Sequence, residues 1–115
     1  MRYVVTGGTG FIGRRLVSKL LETRPDDEVG VLVRRSSLSR FERLAADWGA
    51  RAKPVVGDLT APDLGLAPET LTGLAGVEHV AHCGAIYDIA APERAQHAAN
   101  VDGTRSVIAL AKRLD

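Results

Sequence analysis

The chain has 115 residues, 45% of them hydrophobic and 25% charged, and its 15 Lys+Arg against 14 Asp+Glu leave a formal net charge of +1. That composition fits one globular domain and excludes a dedicated nucleic-acid binder, which would carry a clear basic excess. A lone Cys83 excludes an internal disulfide and a cysteine-built zinc site, no apolar run approaches the roughly 20 residues of a membrane span, and the expectation is a soluble, cytoplasmic domain with no metal.

In chain order, Tyr3-Val4-Val5 predicts a short buried strand, stopped by the glycines of Thr6-Gly7-Gly8-Thr9-Gly10. Ile12, Leu16, Val17, Leu20 and Leu21 then recur at helical spacing, with Arg14, Arg15, Lys19 and Glu22 on the other face and Pro25 as the stop. Residues 28–34 form a second strand. Leu38, Phe41, Leu44, Ala45 and Trp48 mark a second helix, N-capped by Ser37 or Ser39 and ended by Gly49. Residues 52–57 read as a third strand, which Pro54 confines to an edge or a strand start. Residues 58–68 are loop-like, 69–74 allow one or two helical turns, and 77–82 make a fourth strand. From Pro92 the pattern is helical, with Val101, Thr104, Ile108 and Ala111 as one stripe and Val107, Leu110 and Leu114 beside it. Such alternation specifies an α/β doubly wound parallel sheet of about four strands, with helices on both faces.

Gly8-x-Gly10-x-x-Gly13 lies between the first strand and the first helix, inside a βαβ unit. In that context the pattern points to a dinucleotide. A side chain would keep the backbone away from a pyrophosphate, one position must turn tightly, and the helix start offers free N–H groups and a positive dipole end. Roughly 20 residues further on, where an acid would mark NAD, stand Arg34 and Arg35. Paired guanidinium groups suit a ribose 2′-phosphate, which favours NADP, with NAD as the alternative; the other reading is a solvated pair at a strand end. His82 is expected at a strand end with local hydrogen bonds, and Cys83 as a small buried apolar side chain.

The same residues carry a family resemblance. Thr6-Gly7-Gly8-Thr9-Gly10-Phe11-Ile12-Gly13 resembles the T-G-x-x-G-x-x-G signature of the extended short-chain dehydrogenases/reductases. Val56-Gly57-Asp58-Leu59-Thr60 is similar to that family's G-D-L segment, His82-Cys83-Gly84-Ala85 to its H-x-A-A segment, and Asn100-Val101-Asp102-Gly103-Thr104 to its N-V-x-G-T helix. The resemblance implies a Rossmann-type sheet in which Gly7, Thr9, Gly10, Phe11, Ile12 and Gly13 hold the pyrophosphate. Asp58 and Leu59 would meet the adenine, and Cys83, Gly84 and Ala85 would flank the nicotinamide ribose. Asp58 could otherwise be an Asx-turn cap, and Asn100 either supports the catalytic site or packs its helix. Gly84 replaces the family's usual alanine, a change expected to matter little. The Ala85-Ile86-Tyr87-Asp88 stretch is most similar to acyl or thioester reductases.

The family's catalytic Tyr-x-x-x-Lys is missing: Gly7 and Ala91 stand four places after Tyr3 and Tyr87. The complete fold uses about six strands, so the expectation is the cofactor-binding N-terminal portion, residues 1–115, of a longer reductase. Such a piece would bind the dinucleotide and have no catalytic residue of its own, and its fourth strand would expose an edge able to pair with a second copy. The competing readings are an NAD-dependent sugar-nucleotide epimerase or dehydratase and a non-catalytic NADP-sensing module.

Overall fold

All five residues of β2 (Val29–Val33) are buried, as a strand covered on both faces must be. The computed structural model describes residues 1–84 and 92–114. It sets β2 inside a parallel sheet with β1 (Tyr3–Thr6), β3 (Ala52–Val56) and β4 (His79–His82), in the order β3-β2-β1-β4. Tyr3 of β1 pairs with Val29 on one side and His79 on the other, and Thr6 with Leu32 and His82. This is the Rossmann-type order, and it brings the C-terminal ends of β1, β2 and β4 together.

Period-two alternation divides the strand side chains between two cores. Val5, Val29, Val31 and Val33 face α1 (Phe11–Thr23) and α2 (Leu38–Trp48), where Val17, Leu21 and Phe41 are buried. Val4, Leu32 and Val55 face the other side, packed on Leu64, Leu74, Val107 and Leu110. Trp48 leans on Phe41, ring centroids 5.9 Å apart, and donates from Nε1 to Ser18 Oγ at 2.9 Å, which ties α2 to α1. Ser37 takes the N-cap position of α2 without a side-chain cap bond, and Gly49, at φ 82°, ends the helix.

Arg51 ends α1. Its guanidinium donates from Nη1 to the carbonyls of Arg24 (2.8 Å) and Asp27 (3.0 Å) and from Nη2 to that of Leu21 (2.7 Å). Carbonyls at a helix C-terminus lack intrahelical partners and carry the negative dipole end, so a fixed cation there satisfies both needs. Arg51→Ala is expected to lower the unfolding free energy by about 1–2 kcal/mol. The measurement is the urea midpoint at constant slope; an unmoved midpoint would refute the cap.

Three local expectations are corrected. Residues 58–68 are not a plain loop: they hold a tight turn, Pro62–Gly65, in which Asp63 and Leu64 have φ of 51° and 61°. Left-handed backbone at such residues costs about 1–3 kcal/mol. Complete burial of Leu64, and hydrogen bonds from Leu64 N to Ala61 O and from Asp58 N to Leu64 O, hold it there. The fourth strand is shorter than expected, His79–His82. The helix after Pro92 is α4 (Glu93–His97), a π-helical turn at Ala98–Asp102, then α5 (Gly103–Leu114). A π turn carries an extra residue and so rotates the faces of the helix beyond it. Val107 and Leu110 therefore reach the core, while Val101 and Ile108, from the expected stripe, are exposed. The helix between β3 and β4 is α3 (Pro68–Gly73).

Pro54 lies in β3, and β3 is an edge strand, as expected. Val29 N donates to Arg51 O and Gly57 N to Val33 O, so odd-numbered residues of β3 bond β2. Pro54 falls at an outward rung, where its missing N–H costs no ladder bond.

Candidate functional site

The turn after β1 is closed by Gly10 N donating to Gly7 O at 3.0 Å, and α1 begins with Arg14 N donating to Gly10 O at 3.0 Å. The amides of Phe11, Ile12 and Gly13 precede that first intrahelical bond. Gly10 gives no side-chain cap, and α1 has no acidic residue in its first turn. Open donors at the positive end of a 13-residue helix make an anion site.

The glycines of this turn do different work. Gly7, not Gly8, turns into the left-handed region, at φ 67°. A Cβ on Gly7 would also lie 2.6 Å from Gly84 N. One on Gly13 would overlap the Gly7 carbonyl, and one on Gly8 would lie 2.5 Å from Val31 Cγ1. Gly10 is the exception: its Cβ would meet only Gly7 O, at 3.3 Å. The fold has near-sufficient room for a side chain at residue 10, so the bareness of the backbone there suits a ligand approaching it.

A groove runs from this turn over the C-terminal ends of β1 and β2. Gly7, Thr9, Leu32, Val33, Arg34, Ser37, Asp58, Leu59, Thr60 and Gly84 line it, together with Gly57 and Ala99. A second concavity, lined by Gly7, Gly10, Phe11, Ile12, Gly13, Cys83 and Gly84, continues it over the start of α1. Of the residues singled out from the sequence, Arg35 lines neither; it lies in a short 3-10 turn, Arg35–Ser37. Ala85 falls outside the described residues, as do Tyr87 and Asp88.

Ser37 N donates to Arg34 O at 2.8 Å, which folds Arg34 and Ser37 onto one rim of the groove. Ser37, Leu32, Val33, Thr60 and Ala99 were not anticipated as lining. Two had a signal: Ser37 stands three places after Arg34 across one turn, and Thr60 two places after Asp58, the spacing of an Asx turn. That turn is present, with Thr60 N and Oγ1 donating to Asp58 Oδ1 at 2.8 and 2.7 Å. These two bonds, with Arg34 adding a smaller attraction, hold the Asp58 carboxyl below its ordinary range against a small opposing effect of burial. Leu59 Cδ1 occupies the place a Gly84 Cβ would take. An alanine at residue 84 would require only the flexible end of Leu59 to move.

His82 bonds Thr6 on one side and Thr104 on the other, so its expected local bonding is present, and burial pushes its pKa down. Cys83 is half-buried rather than buried, because it sits at the open end of β4 where the second concavity begins. Among the described residues no group of His, Cys, Asp and Glu could hold a metal ion, and no helix is long and apolar enough to cross a membrane.

Comparison with known proteins adds independent findings. The model of a family described as male sterility protein matches residues 5–115. A Drosophila melanogaster protein whose name places it among the fatty acyl-CoA reductases is 37% identical over 96% of this chain, which covers 23% of that relative. The crystal structure of the terminal R domain from the myxalamid PKS-NRPS biosynthetic pathway superposes with a TM-score of 0.81 at 31% identity, over 99% of this chain and 32% of that one. Yeast methylglyoxal/isovaleraldehyde reductase Gre2, solved with NADPH, shares the fold with a TM-score of 0.81 at 21% identity, over 99% of this chain and 33% of its own. The chain spans about a quarter of the length of the first of these relatives and about a third of the two solved structures.

Proposed function

This chain belongs to the male sterility protein family of NAD(P)-binding reductase domains within the extended short-chain dehydrogenases/reductases, and we propose that its dinucleotide is NADP(H). The supporting observation is the rim where Arg34 and Ser37 meet at the end of β2. A guanidinium and a hydroxyl beside the first turn of α2 match the charge and donors that a ribose 2′-phosphate requires.

In this reading Asp58 and Leu59 receive the adenine, Asp58 through Oδ2, since Oδ1 is committed to Thr60. The amides of Phe11, Ile12 and Gly13 receive the pyrophosphate, Gly7, Thr9 and Gly10 lining its approach. Cys83 and Gly84 flank the nicotinamide ribose, and Ala85 is assigned beside them from its place in the sequence. The bound group would supply hydride; the chain's own residues bind and orient it. We assign the parent activity as reduction of a carbonyl or acyl thioester in a longer polypeptide, residues 1–115 being its cofactor-binding part. No Tyr-x-x-x-Lys occurs here, and we infer that this part alone is inactive. The outer edge of β4 would receive a further strand, from that polypeptide or from a second copy of this chain.

Calorimetric titration of the chain with NADPH and NADH tests the cofactor. NADPH should bind at least about tenfold more tightly, the worth of one charge-assisted pair. Equal affinities, or a preference for NADH, would transfer the site to NAD chemistry, and with it the epimerase or dehydratase reading.

A further inference from the structure

Thr6, the last residue of β1, has the one buried polar or charged side chain among the described residues. Its Oγ1 accepts the amide N–H groups of Cys83 and Gly84, both at 3.1 Å, and lies 2.6 Å from His82 Nδ1. On the far side of the ring, His82 Nε2 lies 3.0 Å from Thr104 Oγ1, and that hydroxyl donates to Asn100 O at 2.7 Å.

The direction of this chain of bonds comes from counting hydrogens. Thr104 has one hydroxyl hydrogen, and it goes to Asn100 O, so Thr104 can only accept from His82 Nε2–H. The neutral ring then accepts at Nδ1, and Thr6 must give it its own hydroxyl hydrogen. Both remaining lone pairs of Thr6 Oγ1 are taken by the two amides. Each hydroxyl and ring hydrogen is used once, from α5 through β4 to β1, while the Cys83 amide hydrogen is shared between Thr6 Oγ1 and the Thr6 carbonyl, both at 3.1 Å.

We propose that His82 is a positioning residue of the nucleotide site: by taking the Thr6 hydroxyl hydrogen it points the Thr6 oxygen at the Cys83 and Gly84 amides and clamps that main chain against Gly7. The contact it sets is close, since a Gly7 Cβ would lie 2.6 Å from Gly84 N and 2.7 Å from Cys83 C. Gly7 and Gly84 line both halves of the groove, so a displaced 83–84 segment alters the wall beside the glycine turn. His82 itself lines neither half of the groove. Its consequence for affinity rests on the groove being the dinucleotide site; the clamp does not.

Three measurements on the chain test this. Nitrogen-15 spectra of the wild-type imidazole should show the neutral Nε2–H tautomer; an Nδ1–H ring, or a mixture of the two, would overturn the proposal. His82→Phe removes both ring nitrogens, and His82→Asn restores an acceptor toward Thr6 alone. Amide exchange at Gly84, whose N–H bonds Thr6 Oγ1 alone, should rise by about tenfold in His82→Phe and return close to the wild-type rate in His82→Asn, while Cys83, also bonded to the Thr6 carbonyl, should change less. NADPH affinity should obey the same order, weakened by about tenfold and rescued. Equal effects of the two variants on exchange or on affinity would reduce His82 to a packing residue and overturn the clamp. Expected tautomer and exchange in a chain that binds no dinucleotide would establish the clamp and refute the function assigned to the groove.

Discussion

Gly13→Ala should abolish measurable dinucleotide binding and lower the unfolding free energy by about 1–3 kcal/mol. The added methyl has nowhere to go, because the Gly7 carbonyl already occupies its place and Gly8 Cα is 2.9 Å away. The obstacle is main chain on both sides, so no side-chain rotation relieves it, and the turn that presents the amides of Phe11 and Ile12 must shift. Gly10→Ala separates folding from binding at the same turn. Its only close neighbour is Gly7 O at 3.3 Å, so stability should change by less than about 1 kcal/mol while affinity falls by at least about tenfold. Urea unfolding read alongside calorimetric titration checks both. If Gly10→Ala bound as tightly as wild type, the ligand would not approach at this turn.

Arg34→Asp carries the second large effect, on selectivity. Removing a charge-assisted bond of about 1.5–3 kcal/mol and placing a carboxylate at the rim should weaken NADPH by about 10–100-fold. NADH, lacking the 2′-phosphate, should bind within about threefold of its wild-type affinity. Arg35 lines no part of the groove, so Arg35→Ser should leave both affinities near wild type, and Arg34→Asp with Arg35→Ser should behave as Arg34→Asp alone. Salt sensitivity of NADPH binding should drop in the variants that lack Arg34, since a surface pair is screened over roughly 10 Å at 0.1 M ionic strength. Equal losses for both nucleotides would show that Arg34 supports the groove without reading the phosphate.

Those two contrasts also mark what was readable in the residues. The strands were legible because a strand buried on both faces must be apolar throughout, and Val29–Val33 has no alternative use. The first two helices were legible because amphipathic spacing and the glycine or proline stops agree. The π turn at Ala98–Asp102 was not: Ala98-Ala99-Asn100-Val101-Asp102 has nothing that distinguishes an extra residue per turn from ordinary helix. The left-handed run at Asp63 and Leu64 was hidden for a different reason, because leucine disfavours that conformation and only burial in the folded core sustains it. Within the site, the motif located the turn before α1 but left open which glycine turns tightly, and the structure gives that place to Gly7. Arg34 and Arg35 were indistinguishable by type; in the structure Arg34 lines the groove and Arg35 stands in the adjoining 3-10 turn. The hydrogen-bond chain through Thr6, His82 and Thr104 joins residues far apart in the chain, so no local pattern could announce it.

The two flanks of the sheet are chemically unequal. On one, the pyrrolidine of Pro54 interrupts the row of outward donors, and a newcomer could never zip along β3 without skipping a rung. On the other, β4 presents His79–His82 with no proline. Lateral accretion would therefore cost a ladder bond at Pro54 on the β3 flank and none within His79–His82 on the β4 flank.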